Sequence, residues 1–229
     1  ECSGYYFKEA TMVYLFSILT FFLSLFGGPP AKSTDNDPKA KTILDAVSKT
    51  YKGFSSIKAT ITLVTENKQQ NKTTTQNGTV YLKGENYKIV MGKQEIICDK
   101  KSVWTYLKDI NEVQINDYEA NKEDITPSNM FTIYQNDFNY MLNGEEWIDK
   151  SNCSIIDLKP IDTDKPFFKV RIWIDKDAKY IKRMKVFDKN GTLYTYNVIT
   201  FNPKANLDDS FFKFDAAKHP GVHIEDLRM

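Results

Sequence analysis

The sequence predicts a mainly β protein, an incomplete antiparallel β-barrel of about ten to eleven strands covered by an N-terminal helix and a central helical lid. Aromatic residues are plentiful, with 15 Phe, 13 Tyr and 3 Trp among 229 residues, which favours strands. Short apolar runs alternate with polar residues from Ile57 onwards and are separated by turn residues. Two other segments instead show helical spacing.

The first helical segment follows a polar linker. Asp35 or Asp37 can cap the helix, and Pro38 suits its first turn. The helix ends at Gly53. Its apolar residues share one face: Ile43, Leu44, Val47 and Tyr51.

The strands are predicted from runs with a period of two, and the Asn77-Gly78 pair marks a turn or bulge before the second. Such close spacing indicates an antiparallel meander. The predicted runs are Ile57–Val64, Val80–Lys83, Tyr87–Met91, Glu95–Asp99, Val103–Leu107, Glu112–Asn116, Cys153–Pro160, Phe167–Asp175, Ile181–Asp188, Thr192–Phe201, Phe211–Asp215 and Val222–Glu225.

The segment from Ile125 to Asn143 interrupts the strands. Thr126 precedes Pro127 as a plausible helix cap, and the apolar spacing suits one or two short helices. These helices would cover an apolar face of the sheet, so this segment is the predicted lid.

Charge and cysteine content exclude several classes of protein. The net charge of +1 gives no electrostatic footprint for nucleic acid. Three cysteines are too few for a disulfide framework. Cys98 and Cys153 could pair in an oxidising compartment, but we favour two unpaired thiols.

The N-terminal part has the pattern of an export segment. Val13 to Phe26 is a run of fourteen uncharged residues, short for a membrane span and typical of a signal peptide. We therefore assign residues 1–36 to an export segment and linker, and 37–229 to the folded domain. Removal of the segment is favoured, and its retention as an anchor is the alternative. Cys2 precedes the apolar run, so it is not placed as a lipid-attachment cysteine.

Catalytic and metal-binding motifs are not apparent. Pro220 and Gly221 separate His219 from His223, which disfavours a helical metal site. The sequence contains no nucleophile-elbow, phosphate-loop or C-x-x-C motif. We expect a protein that is not an enzyme and has no cofactor, although carboxylate pairs cannot be placed in space from sequence.

The apolar pattern exceeds what a tight core needs, and it defines the candidate lipid-binding residues. Met-rich surfaces adapt to varied apolar ligands. The alternative is an ordinary packed core, and both readings stay open. The candidates are Leu82, Ile89, Met91, Trp104, Tyr106, Ile115, Met130, Phe131, Met141, Val170, Ile172 and Met184.

Several short motifs follow one another in a specific order: Ile43–Val47, Phe54–Ala59, Gly78–Lys83, Glu95–Tyr106, Phe211–Asp215 and Pro220–Val222. Their order and spacing resemble the LolA family of periplasmic outer-membrane lipoprotein carriers, and the resemblance covers residues 38 to 227. Lys83-Gly84-Glu85 departs from the family's Lys-Arg-Pro, so the arginine that tethers the family's lid is missing.

The resemblance implies a monomeric periplasmic chaperone that holds the acyl chains of lipoproteins in an apolar cavity. Its implied partners are acylated lipoproteins, an inner-membrane lipoprotein-releasing ABC transporter and an outer-membrane receptor. A sensing or binding module for lipids or lipoproteins on the same fold is the main alternative. A receptor of this architecture and an enzyme are further alternatives.

Overall fold

The structure is a computed structural model that describes residues 36–118 and 126–228. The described part contains one α-helix, twelve strands and three short 3-10 helices. The helix α1 spans Pro38–Lys52, and the 3-10 helices span Ile133–Gln135, Asp209–Phe212 and Ala216–Lys218. The strands are β1 Ile57–Asn67, β2 Lys72–Lys83, β3 Asn86–Met91, β4 Gln94–Cys98, β5 Ser102–Leu107, β6 Glu112–Asp117, β7 Phe138–Ile148, β8 Ser151–Pro160, β9 Phe167–Asp175, β10 Ile181–Asp188, β11 Thr192–Asn202 and β12 His223–Asp226.

Helix α1 confirms the first predicted helix. Asp37 is its N-cap, and its carboxylate accepts a hydrogen bond from the Lys39 backbone N–H at 2.8 Å. Gly53 is the C-cap, as the sequence predicts, and Lys49 and Lys52 in the last turn oppose the helix dipole. Asp35, the other predicted cap, lies outside the described residues.

The twelve strands form one open sheet in the order β12-β6-β5-β4-β3-β2-β1-β11-β10-β9-β8-β7. Neighbouring strands are antiparallel, except that β12 runs parallel to β6. The end strands β7 and β12 are not paired with each other, so the sheet is not closed. The predicted count of ten to eleven is not confirmed. Of the twelve runs named from the sequence, Phe211–Asp215 is not a strand, and β7, which begins within the segment predicted to be helical, was not predicted.

The predicted turn or bulge at Asn77-Gly78 is wrong. These residues lie inside β2, and Gly78 pairs regularly with Met91 of β3. A Cβ atom at Gly78 would come within 2.9 Å of the Val90 carbonyl oxygen. The glycine is therefore needed for close strand approach, and the hairpin tip lies further back, between Asn67 and Lys72.

The central α-helical lid is also not found in the described residues. Residues 126–135, called here the connecting segment, form turns followed by a single 3-10 turn. The Thr126 hydroxyl accepts a bond from the Asn129 N–H, and the Asn129 side chain accepts one from the Thr126 N–H. Polar side chains that satisfy the backbone locally compete with helix formation.

Two different layers cover the two faces of the sheet. We call the face on which α1 packs the helix face; it carries Leu82, Ile89 and Ile172. The opposite face, over β2–β6, carries the strap, defined as residues 205–222. Phe211 of the strap contacts the ring of Tyr81 at 4.8 Å, and Phe214 contacts that of Tyr106 at 5.4 Å.

The strap replaces a predicted strand. Its first part was expected to be extended over Phe211–Asp215, but a 3-10 helix at Asp209–Phe212 stands there instead. Phe212 on that helix is completely buried. The last predicted strand is confirmed as β12.

Cys98 and Cys153 are free and completely buried, which confirms two unpaired thiols in the structure. They lie on β4 and β8, which are separated by six strands in the sheet order. Burial raises the pKa of both thiols, which lowers their reactivity.

Candidate functional site

The helix face is continuous in its apolar character across much of the sheet. The strand register determines which residues belong to this face, because directly paired residues lie on the same side of the sheet. Ile61 of β1 pairs with Gly78 of β2 on one side and with Val198 of β11 on the other. The face thus continues from β1 both towards β4 and towards β7.

The half of the helix face on β7–β10 is a packed core. Helix α1 contributes Leu44 and Val47, and the strands contribute Phe138, Ile156 and Val170. These side chains retain no more than 5% of their surface. Two candidate lipid-binding residues, Val170 and Ile172, belong to this packed core and are 1% and 4% exposed. For these two residues the alternative of an ordinary packed core applies.

The connecting segment is fixed to α1 by two contacts. The Tyr134 hydroxyl donates a 2.7 Å hydrogen bond to Asp45, and the Phe131 ring stacks on that of Tyr51 with centroids 3.4 Å apart. The Lys41 and Tyr134 hydrogen bonds lower the pKa of Asp45. Tyr51 in turn accepts a bond from the Ile181 backbone N–H. These contacts join α1, the connecting segment and the sheet without the arginine that tethers the lid in the family that the sequence resembles.

The other half of the helix face, on β1–β4, forms an apolar wall. Its members are buried but keep a small, consistent exposure of 6–9%, apart from the fully buried Cys98. This exposure exceeds that of most of the packed core. The wall consists of Ile57, Ala59, Ile61, Leu63, Leu82, Tyr87, Ile89, Met91, Ile96 and Cys98.

Tyr196 lies between the two halves, on β11, opposite Leu63 on one side and Met184 on the other. Desolvation raises its pKa to about 12, so its hydroxyl is surrounded by protein. It nevertheless keeps an intermediate accessible surface. Tyr196 therefore borders both the wall and the packed core.

Four of the twelve candidate residues do not share this face. Strand pairing places Ile97 beside Trp104 and Trp104 beside Ile115, on the face opposite to Ile89. Tyr106 lies on the same opposite face under the strap, against the rings of Phe214 and His219. Trp104, Tyr106 and Ile115 therefore lie on the face opposite to Ile89.

Met141 is the fourth exception. It pairs with Asp157 on the strap side of the sheet and is 54% exposed. The remaining candidates are on the helix face or packed against it: Leu82, Ile89, Met91, Met130, Phe131, Val170, Ile172 and Met184.

An open groove of about 630 Å³ lies between the strap and strands β3 and β4. An ion pair between Lys88 and Glu95 forms part of its floor, and Phe211, Phe214 and His219 form part of its wall. Both ionic side chains are largely buried, at 18% and 11% exposure. An acyl chain would desolvate this pair further, so the groove suits lipid less well than the helix face does.

The described residues include no helix with the length and apolar character needed to cross a bilayer. They also contain no group of three His, Cys, Asp or Glu side chains placed to hold a metal ion.

Comparison with solved structures supports the fold. An uncharacterised conserved protein from Thermus thermophilus superposes with a TM-score of 0.57 at 15% identity, covering 82% of this chain and 99% of the other. LprF from Mycobacterium bovis gives a TM-score of 0.46 at 15% identity, covering 76% of this chain and 97% of the other. The LolA superfamily protein NE2245 from Nitrosomonas europaea gives 0.43 at 14%, with 77% and 98% covered.

The first of these structures shows that the chain has an established fold, an open sheet with an apolar face under a helix. The family profile of the outer membrane lipoprotein carrier protein LolA matches residues 52–215. The chain therefore belongs to the LolA family. No curated protein sequence matches it significantly.

Sequence reasoning missed two parts of the site. It did not predict the strap. The alternating aromatic residues Phe212 and Phe214 could have indicated a segment that packs on the sheet. It also placed the start of β7 in a helix. The period-two alternation of Phe138, Tyr140 and Leu142 is the signal that could have identified this strand.

Proposed function

We propose that this protein is a periplasmic chaperone that binds the acyl chains of lipoproteins on its helix face and carries them from the inner to the outer membrane. The observation that carries the proposal is the apolar wall on β1–β4, a continuous set of apolar side chains that extends the helix face beyond the packed core. Within the described residues the site offers no catalytic group, which suits binding better than chemistry.

The energetics of transfer require such a surface. Burying an acyl chain is worth about 0.8 kcal/mol per CH₂ group, so a palmitoyl chain leaves a bilayer at a cost of roughly 10 kcal/mol. A carrier compensates for this only by offering equivalent apolar surface. Leu82, Ile89 and Met91 would contact the acyl chains, and Met130 and Phe131 would contact them from the connecting segment.

The proposed partners are acylated lipoproteins, an inner-membrane lipoprotein-releasing ABC transporter and an outer-membrane receptor. Export through the segment at residues 1–36 completes the proposal, and residues 1–35 of that segment lie outside the described residues. The packed core half would act as a fixed support, while the wall on β1–β4 receives the cargo.

A vesicle-release experiment tests the function. The full chain is added to inner-membrane vesicles containing a triacylated lipoprotein, together with the transporter and ATP, and the vesicles are sedimented. We expect the lipoprotein in the supernatant as a one-to-one complex with this protein. Lipoprotein that stays with the vesicles at every protein concentration would overturn the carrier proposal.

Ile89→Glu provides the first prediction about the site. A carboxylate on the apolar wall should abolish release, because lipid cannot solvate it. Ile199→Glu is the matched control, since Ile199 is 62% exposed, and it should release lipoprotein normally. Thermal unfolding measured beside release separates the effects. Should Ile89→Glu be unfolded, the milder Met91→Gln replaces it, and a folded, fully active Met91→Gln would count against the wall.

A further inference from the structure

Strand β7 lies at one edge of the sheet, and its two halves differ in what occupies their outer side. In the first half, the Asn36 side chain accepts a bond from the Tyr140 N–H at 2.9 Å, and the Asp37 N–H donates to the Tyr140 carbonyl at 3.1 Å. Asp37 also accepts a bond from the Leu142 N–H at 3.2 Å. The residues before α1 therefore occupy this half of the edge as a strand partner would.

The second half of β7 has no such partner among the described residues. A register shift between Leu142 and Glu145 separates the halves, and Gly144 there has a φ of +95°. Beyond it the strand continues regularly, with Glu145 opposite Ser154 and Trp147 opposite Asn152.

The register shows which backbone groups face outwards. Tyr140 and Leu142 direct theirs away from β8, and they lie opposite Leu158 and Ile156. Ser154 is in phase with those two residues on β8, so its partner Glu145 also directs its N–H and C=O away from β8. Trp147, two residues later, does the same. These backbone groups can pair with an added strand.

Trp147 makes this edge suited to a specific partner. Its side chain is 68% exposed, the highest exposure among the large apolar residues of the described chain. Tryptophan is a preferred anchor at protein interfaces. Two of the residues that commonly blunt an edge, lysine and proline, do not occur between Gly144 and Ile148.

Charge selects the kind of partner. Glu145 and Glu146 keep side-chain exposures of 50% and 46% even though Lys176 and Arg183 accompany them. Antiparallel pairing of two copies centred on these five residues would place Glu146 opposite itself, which is unfavourable. An acidic peptide would meet the same repulsion, so a neutral or basic segment fits best.

The edge belongs to the same sheet as the proposed lipid site, with β11, β10, β9 and β8 between it and β1. Phe138 and Tyr140 of β7 are buried in the packed core beneath α1. The strand then leads from that core to the free edge, within one continuous element. The helix face, on which the acyl chains are proposed to lie, ends at this edge.

We propose that residues Gly144–Ile148 of β7 dock the extended polypeptide that follows the acylated cysteine of the cargo, adding it to the sheet as a further strand. This inference rests on the proposed function. It assigns recognition of the cargo's protein part to the β7 edge, and of its acyl chains to the helix face.

Three lipopeptides test the inference with the full chain. All share tripalmitoyl-cysteine, followed by Ser-Lys-Lys-Lys-Lys, by Ser-Glu-Glu-Glu-Glu, or by an amide alone. We expect the lysine peptide to bind about tenfold more tightly than the other two. It should also slow hydrogen exchange of the Glu145 and Trp147 amides.

Substitutions locate the effect. Trp147→Ala should remove the preference for the lysine peptide and leave binding of the cysteine amide unchanged. Glu145→Pro removes an outward N–H that does not bond to β8 and should act likewise. Phe168→Ala, at a residue that is 52% exposed on β9, is the matched control and should change nothing.

The outcomes separate this inference from the proposed function. If all three lipopeptides bind equally and the two amides exchange at an unchanged rate, the docking edge is wrong while acyl binding stands. Failure of all three to bind would instead contradict the proposed function. Faster sedimentation on adding the lysine peptide would indicate pairing of two copies and would overturn the assignment to cargo.

Discussion

At the scale of single residues, the contact between Tyr134 and Asp45 joins the connecting segment to α1. The 2.7 Å hydrogen bond links groups 89 residues apart in the chain. This contact could not be predicted from the sequence, because the helical pattern places Asp45 on the solvent-facing side of an amphipathic helix. Only the path of the connecting segment brings a tyrosine hydroxyl to it.

Tyr134→Phe is the second prediction. Loss of this hydrogen bond should lower the free energy of unfolding by about 0.5–1.5 kcal/mol, because the ring stays packed and Asp45 remains accessible to water. Urea unfolding at neutral pH measures it. A Tyr134→Phe protein with unchanged stability would show that the contact does not hold the segment.

The pH dependence of this contact has a definite sign. The pKa of Asp45 is lower in the folded protein than its ordinary value, so folding favours the carboxylate. The stabilisation is complete above the ordinary pKa and is lost as the pH falls through the lowered one. The difference between wild type and Tyr134→Phe should therefore shrink below about pH 4.

A substitution of Asp157 is the third prediction, and it also belongs to the scale of single residues. The Asp157 carboxylate accepts two bonds from Arg171, at 2.5 and 2.8 Å, and one from Asn143 at 2.9 Å. Burial alone would raise its pKa, but these partners lower it. Asp157→Ala leaves the Arg171 guanidinium without its partner and should destabilise the fold by about 2–4 kcal/mol.

Chemical denaturation of Asp157→Ala gives that value directly. The contribution of this pair, like that of Asp45, should be present near neutral pH and disappear as the solution becomes acidic, because the folded pKa is depressed. A loss of stability that is equally large at pH 3 and pH 7 would contradict the assignment.

At the scale of elements, strands were predictable and their faces were not. In β5 the residues Val103, Trp104, Tyr106 and Leu107 are apolar on both alternating sets, so alternation alone assigns neither face. The register of β4 with β5 settles the question, because it pairs Ile97 with Trp104. A second covering layer, the strap, explains why both sets are apolar.

The connecting segment shows why local pattern fails in short stretches. Its apolar spacing resembles a helix, but helix nucleation is costly over so few residues. Its aromatic side chains instead gain contacts with α1, as Phe131 does with Tyr51. Tertiary packing therefore decides the conformation, and the described part of the segment contains no α-helix.

The strap carries the fourth prediction. Phe212→Ala should lower the free energy of unfolding by about 3–5 kcal/mol, because Phe212 is fully buried and its removal leaves a cavity. Denaturant unfolding of Phe212→Ala and Phe168→Ala compares a buried with an exposed phenylalanine. Equal stability of the two variants would mean that the strap is not packed on the sheet.

At the scale of the whole molecule, the two faces of the sheet carry different structures. An open, ion-paired groove lies under the strap on one face, and the helix face presents a packed core beside an apolar wall. The strand pattern was sufficient to predict an incompletely closed antiparallel sheet, and the resemblance of several motifs pointed to the LolA family. The pattern did not predict everything. It was not sufficient to locate the wall, since that depends on pairings between residues far apart in the chain, such as Leu63 with Tyr196.

Photo-crosslinking tests most directly which face receives the acyl chains. A tripalmitoyl-cysteine peptide with a diazirine in one acyl chain is bound to the full chain and irradiated, and the labelled residues are identified by mass spectrometry. We expect labels on the wall of the helix face, at Leu82, Ile89 and Met91. Labels confined to the strap side, at Trp104, Tyr106 or Ile115, would contradict the account.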